Sequence, residues 1–301
     1  MNSAKPYRRL QGIRMRAKDQ SIIYARTLEF KPEASPEIVF IPRGHSFTAT
    51  GRGDRNGGLS WQSRYALAGI DGAGKKIILD GVNEKGLAAG IFYLPGQIET
   101  WDMRPFESEG PCPMPDISAW ALSNCSTVKE VKESLPHLWI DKGMSTRREP
   151  GTSSPHAESA SLHYTIHDRL GNHLVIGLSG GKLNMYSTPA KAFESSPAFD
   201  WHMTHSGTIG NWRTAGSCFI RVADRSLSTM PLNNAEEAVL QAFCILHSAA
   251  GNGHEKSRFR TCVNDLQNRR FFFYTADKQQ IQVVDLMKMN LDSRKIVRFL
   301  A

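Results

Sequence analysis

The sequence contains no run of about 18 consecutive apolar residues, so it offers no candidate for a membrane-spanning helix. Cysteine is sparse and irregularly placed: Cys112, Cys125, Cys218, Cys244 and Cys262 include no C-x-x-C pair. Neither a zinc cluster nor a dithiol redox pair is signalled, and reduced, mostly buried thiols are expected. The N-terminus carries charge but lacks the apolar core of about 7 to 15 residues that a secretory signal needs. As written, the chain is therefore expected to be cytoplasmic, and periplasmic if its true N-terminus differs. "GRGDRNGG" (51–58) lacks both the Lys-Ser/Thr ending and the following helix of a phosphate loop, and reads as a turn. The net charge of +8 has no nucleic-acid-binding motif or aromatic stacking platform beside it, so a solvated basic surface is expected, not a polyanion partner. His163 and His167 are four apart and His202 and His205 three apart, but no carboxylate or cysteine completes a metal site around either pair. Neither metal nor cofactor is expected.

What is present fits an ordinary globular chain of 301 residues, with 40% hydrophobic and 22% charged residues. That length can bury roughly three quarters of the surface of the unfolded chain without disulfide or metal staples. Residues 21–30 alternate β-branched and aromatic side chains as a strand does. "KIILDGVNEKGLAAGIFYL" (76–94) reads as a hairpin, with Gly86 at a positive-φ position of the turn. "LHYTIHDRLGNHLVIGL" (162–178) repeats the design around 168–172, and "RRFFFYTADKQQIQVVDL" (269–286) turns at 276–278. Two helices are predicted, one capped by Thr127 with Glu130 and one by Asn234 with Glu237 and stopping at Gly251. The stretches 96–116 and 141–160 read as loops within one domain, 1–301. Antiparallel hairpins with helices grouped between them predict an α+β layered fold.

Several of these segments together resemble the choloylglycine hydrolase family, which includes penicillin V acylases and bile salt hydrolases. "GIRMRAKDQSIIYARTLEF" is similar to that family's first hairpin, and "LDGVNEKGLAAGIFYLPG" to its second, built around DG-hydrophobic-NEKGL. "STVKEVKESL" resembles its capped helix and "LHYTIHDRLGNHLVIGLSGGKLNMY" its central strand pair. "SSPAFDWH" (195–202) and "RTCVNDLQNRRFFFY" (260–274) extend the likeness, which spans roughly residues 12 to 290.

The resemblance implies a four-layer αββα N-terminal-nucleophile hydrolase fold and hydrolysis of a linear amide C–N bond. The attacking group in the family is an N-terminal cysteine whose own α-amine takes the proton. An arginine and a carboxylate support it, and asparagines supply oxyanion contacts. By resemblance the arginine maps to Arg26, the carboxylate to Glu29 and the asparagine of NEKGL to Asn83, with Phe30 and Tyr93 near the substrate. A guanidinium at Arg26 interrupts the apolar set Ile22, Tyr24, Leu28 and Phe30 and demands a partner. Glu29 has the wrong parity for a flat strand to provide one.

Three positions depart from the family. Leu10 stands where the nucleophilic cysteine is expected, Ser195 where an asparagine is, and Cys218 where an arginine is. The segment 203–217 is also shortened, which counts against the tetramer that the resemblance otherwise implies. Residues 1–11 form an atypical extension ahead of the similarity. Loss of a covalent nucleophile costs about 10⁴- to 10⁶-fold in rate, and loss of an oxyanion donor on the order of 10²-fold more. The chain is therefore expected to be inactive or strongly impaired as an amide hydrolase. Two alternatives stand beside this: an active hydrolase with a mis-assigned N-terminus, or a non-enzymatic binder of a small amphipathic amide.

Overall fold

The computed structural model describes residues 10–30, 37–48, 60–72, 77–94, 111–113, 116–141, 161–179, 182–187, 191–194, 231–250, 258–275 and 279–299. The first hairpin pairs β1 (Gln11–Arg16) with β2 (Ile22–Phe30), closed by a turn in which Gln20 adopts a left-handed φ of 71°. Near the C-terminus β15 (Arg258–Asp265), β16 (Arg270–Thr275) and β17 (Gln280–Asp285) form the expected meander. β15 returns to pair with β2, and β14 (Ala192–Glu194) adds to the other side of β1. These strands make one six-stranded antiparallel sheet, ordered β14-β1-β2-β15-β16-β17.

The second sheet is built from β3 (Glu37–Ile41), β6 (Leu67–Asp71), β7 (Ile78–Asn83), β8 (Leu87–Leu94), β11 (Ser161–Asp168), β12 (His173–Ser179), β13 (Lys182–Tyr186) and β18 (Val297–Phe299). Its order is β13-β12-β11-β8-β7-β6-β3-β18. Both predicted hairpins are in it: β7–β8 turns with Gly86 at φ 78°, and β11–β12 with Gly171 at φ 87°. Two minor ladders pair β4 (Ser46–Thr48) with β5 (Ser60–Gln62), and β9 (Pro111–Pro113) with β10 (Trp139–Asp141).

Strand parity sorts the side chains into layers. Ile22, Tyr24 and Leu28 of β2 meet Ala68 and Ile70 of β6, Val82 of β7 and Phe271 and Phe273 of β16 between the sheets. The outer face of the second sheet carries Leu87, Ala89 and Ile91 against α1 (Ile117–Asn124) and α2 (Val128–Ser134). The outer face of the first packs Ile13, Ile23 and Val263 against α3 (Ala235–Ala250), whose Ala238, Ala242, Phe243 and Leu246 recur at helical spacing. The layers run helix, sheet, sheet, helix, as the resemblance implies. Burying each large apolar side chain in these seams contributes about 1.5–3 kcal/mol, so both faces of both sheets hold the stack together.

Two details differ from the sequence reading. α1 lies just beyond the predicted loop 96–116, and its residues Ile117–Ser123 are buried all round, so it shows no amphipathic stripe to read. The capping boxes close one residue early. Thr127 and Asn234 accept from the backbone N–H of Glu130 and Glu237, but those glutamates reach back to the N–H of Ser126 and Asn233.

Candidate active site

Arg26 is fully buried where β2 crosses the facing sheet, level with Gly12 on β1 and Cys262 on β15. Its Nε lies 3.9 Å from Asp80 Oδ2, an ion pair too long to be a hydrogen bond. Two long backbone contacts, to the carbonyls of Thr27 and Leu79 at 3.4 Å each, and a face-on approach to Phe92 at 4.1 Å from the ring centre complete its surroundings. Its Nη2 has no hydrogen-bond partner among the described residues. The guanidinium is thus held by charge and ring contact, with donor capacity to spare.

Asp80 is the buried carboxylate that the guanidinium demanded, and it comes from the opposite sheet. Sequence reasoning left the guanidinium without a partner, since Glu29, the carboxylate that the resemblance implies, has the wrong parity for a flat strand. The ladder between β2 and β15 runs unbroken from Ile23 to Phe30. The signal for Asp80 was its even parity with Val82 in "LDGVN", which puts both between the sheets. Asp80 Oδ1 accepts a hydrogen bond from Asn264 Nδ2 at 2.8 Å, another contact across the sheets. Burial pushes the Asp80 carboxyl up to about 7, against the opposing pull of Arg26 and Asn264.

Gly90 of β8 makes this approach possible. A Cβ there would collide with the Tyr24 hydroxyl and lie 2.8 Å from Asp80 Oδ2 and 3.0 Å from Arg26 Nη1. The Tyr24 hydroxyl accepts from Thr165 Oγ1 at 2.9 Å, a further bond between the sheets, and burial raises its pKa. His167 stacks on Tyr24 with ring centres 4.1 Å apart, and His173 follows at 6.1 Å. Burial, then His173 and Arg14, drive the His167 pKa well below 6.5, so the ring is neutral near pH 7. His163 stacks on Phe92. The two strand-spaced histidines do share a face, but they serve an aromatic stack, and no group of three metal-ligating side chains occurs among the described residues.

Leu10 immediately precedes β1 and packs, half-buried, against the cluster of Phe92, Val175 and Phe193. Phe92 thus belongs both to the cluster that Leu10 packs against and to the surroundings of Arg26. The next residue, Gln11, is anchored by its backbone N–H to Thr27 Oγ1 at 3.0 Å. Gly12 has no room for a side chain, since a Cβ would stand 2.8 Å from the Phe92 ring.

Asn83 lies elsewhere. Its odd parity points it at the helical layer, where Nδ2 donates to the carbonyls of Leu122 (2.8 Å) and Cys125 (2.7 Å). Its Oδ1 accepts from the N–H groups of Lys85 and Leu87, both at 3.0 Å. Of Glu29, Phe30 and Tyr93 the structure describes only backbone pairings, with Phe259, Arg258 and Leu162, toward the same end of the sandwich as Leu10. Ser195, Cys218 and segment 203–217 lie outside the described residues, as do His202, His205 and the 51–58 turn.

Comparison with known proteins agrees with this architecture. The family model of linear amide C–N hydrolases, choloylglycine hydrolase family, matches residues 11–214 and 206–299. The chain belongs to that family. It is 24% identical over 328 residues to a bile salt hydrolase/transferase of Clostridium perfringens, covering 95% of this chain and 94% of that one. It is 27% identical over 313 residues to a penicillin V acylase of Pectobacterium atrosepticum, covering 90% and 79%. Among solved structures, penicillin V acylase from Agrobacterium tumefaciens superimposes with a TM-score of 0.76 at 17% identity, over 96% of this chain and 91% of the other. A cysteine-to-alanine mutant of the conjugated bile acid hydrolase from Clostridium perfringens gives 0.75 at 22% identity, over 96% of each. These likenesses show the choloylglycine hydrolase fold, and the polar seam around Arg26 lies at its centre.

Proposed function

We propose that this choloylglycine hydrolase family member does not hydrolyse amides through an N-terminal cysteine, because the position that would carry it is Leu10, seated in an apolar cluster. The observation that carries the reading is the packing of Leu10 with Phe92, Val175 and Phe193. A leucine has no nucleophile to offer. Glu29 is a supporting position in this reading, and Ser195 and Cys218 are further altered ones. Asn83 acts through the scaffold, because all four of its hydrogen-bonding capacities are used within the fold.

The test is hydrolysis of penicillin V and of a glycine-conjugated bile salt by the purified chain. No turnover above a heat-treated control is expected, and measurable turnover abolished by Arg26→Met overturns the reading. Leu10→Cys in a chain stripped of residues 1–9 is also expected to remain inactive, because Ser195 and Cys218 are altered as well. Return of activity in that variant would show that only the nucleophile is missing. A second reading, retained binding of an acyl amide without turnover, is favoured by the unused Nη2 of Arg26. It requires a saturable thermal shift with penicillin V that Arg26→Met removes.

A further inference from the structure

A second pocket lies at the far end of the sandwich from Leu10. The turns of β7–β8, β11–β12 and β15–β16 converge there, beside the Arg16 end of β1, whose Nη2 donates to the Leu170 carbonyl at 3.2 Å. Leu10 sits at the opposite end of β1, about 20 Å away at strand rise. The pocket has a volume of about 360 Å³, within the range of small-ligand sites.

Its charge is one-sided in effect. The basic lining residues are Arg43, Lys85, Arg169 and Arg269, and the carboxylates are Glu84 and Asp168. Both carboxylates are already committed. Glu84 takes a two-point ion pair from Arg43, with both contacts at 2.8 Å, and accepts the Ala66 N–H as well. Asp168 accepts the backbone N–H groups of Val128, Leu170 and Asn172 and the Asn172 side-chain amide. Three of the four basic side chains retain capacity. Arg169 is exposed, Lys85 meets Glu84 only at 3.7 Å, and the Arg269 Nε–H is buried without a hydrogen-bond partner among the described residues. Apolar side chains join them: Leu170 and Met287 line the pocket while 64% and 57% exposed. Large apolar side chains left in water beside unspent cations fit a ligand that carries both an anionic head and a short apolar tail.

We propose that this pocket binds a small amphipathic carboxylate, with the head on Arg169 and Arg269 and the tail on Leu170 and Met287. The site is independent of the Arg26 seam and of whether the chain hydrolyses amides.

Isothermal titration of the full chain with octanoate tests it, with octanol and inorganic phosphate as single-feature controls. One saturable octanoate site is expected. Arg169→Gln should weaken it at least about ten-fold, as loss of a charge-assisted contact does. Met287→Glu, which places a negative charge at the rim, should abolish it. Arg298→Gln, the same charge change at a residue paired with Glu37, should leave it unaltered. Because Arg169 and Met287 are exposed, neither substitution removes a core contact. Octanoate binding that survives both pocket variants overturns the proposal, because it then lies elsewhere. Equal binding of octanol removes the anionic requirement, equal binding of phosphate removes the apolar one, and either result overturns it too.

Discussion

Asp80 and His173 push the pH dependence of stability in opposite directions. Burial raises the Asp80 pKa from its ordinary 3.8 to about 7, so the fold favours the neutral acid. Its contribution is therefore greatest below pH 3.8 and is lost as pH rises toward 7. Burial and then Arg14 lower the His173 pKa from 6.5 to about 4, and His167 moves the same way. Their contribution is present above pH 6.5 and is lost as pH falls toward 4. In the parent chain the two trends offset each other between about pH 4 and 6.5. Asp80→Asn should expose the histidine trend, so that the urea midpoint falls more steeply on acidification than in the parent. His173→Gln should make that fall shallower. Midpoints measured from pH 4 to 7.5 decide it; an unchanged slope in Asp80→Asn would mean that Asp80 stays ionised beside Arg26 throughout. The sequence made Arg26 legible because a guanidinium breaks an apolar stripe. Its partner Asp80 was not legible, because the contact joins residues 54 positions apart on different sheets.

At the scale of elements, the β7–β8 hairpin shows how a motif residue acts through scaffold. Asn83 ends β7 and ties it to the C-terminal end of α1 through the carbonyls of Leu122 and Cys125, while its oxygen closes the turn to β8. Asn83→Ala would leave two carbonyls and two N–H groups in a buried setting without partners. At about 1–3 kcal/mol for each group left unsatisfied, a loss of at least about 3 kcal/mol is expected in chemical denaturation. Asn83→Asp should be no better at pH 7, because a carboxylate would face two carbonyl oxygens. A stable, correctly folded Asn83→Ala chain would point back to a role in the site. Hairpins and the two capped helices were legible because alternation, turn glycines and Ser/Thr/Asn–Glu pairs are local signals. α1 was not: with both sides buried it has no polar stripe, and "ISAWALSN" carries no period to detect.

For the whole molecule, the four layers were legible only through resemblance, since composition and periodicity stop at an antiparallel α+β arrangement. How one sheet is set upon the other depends on side chains far apart in sequence, and polar side-chain contacts cross that seam. Thr165 to Tyr24, Asn264 to Asp80 and Arg26 to Asp80 each join a strand of one sheet to a strand of the other. Such a seam can be kept for stability or for a site, and the two differ in outcome. Removing one partner of a buried pair strands the other charge and costs about 3–5 kcal/mol, whereas replacing the whole group by apolar side chains of similar size is neutral or stabilising by about 1–4 kcal/mol. Arg26→Met and Asp80→Leu are therefore each expected to lower stability sharply. The triple variant Arg26→Met, Asp80→Leu, Asn264→Leu should unfold at or above the parent's midpoint, because the new apolar side chains would join two buried apolar clusters already beside the seam. If the triple variant is instead as unstable as the single losses added together, the seam holds the two sheets in place. A stable triple variant that no longer gives a thermal shift with penicillin V, where the parent does, would identify the Arg26–Asp80 pair as a binding site, which stability alone does not maintain.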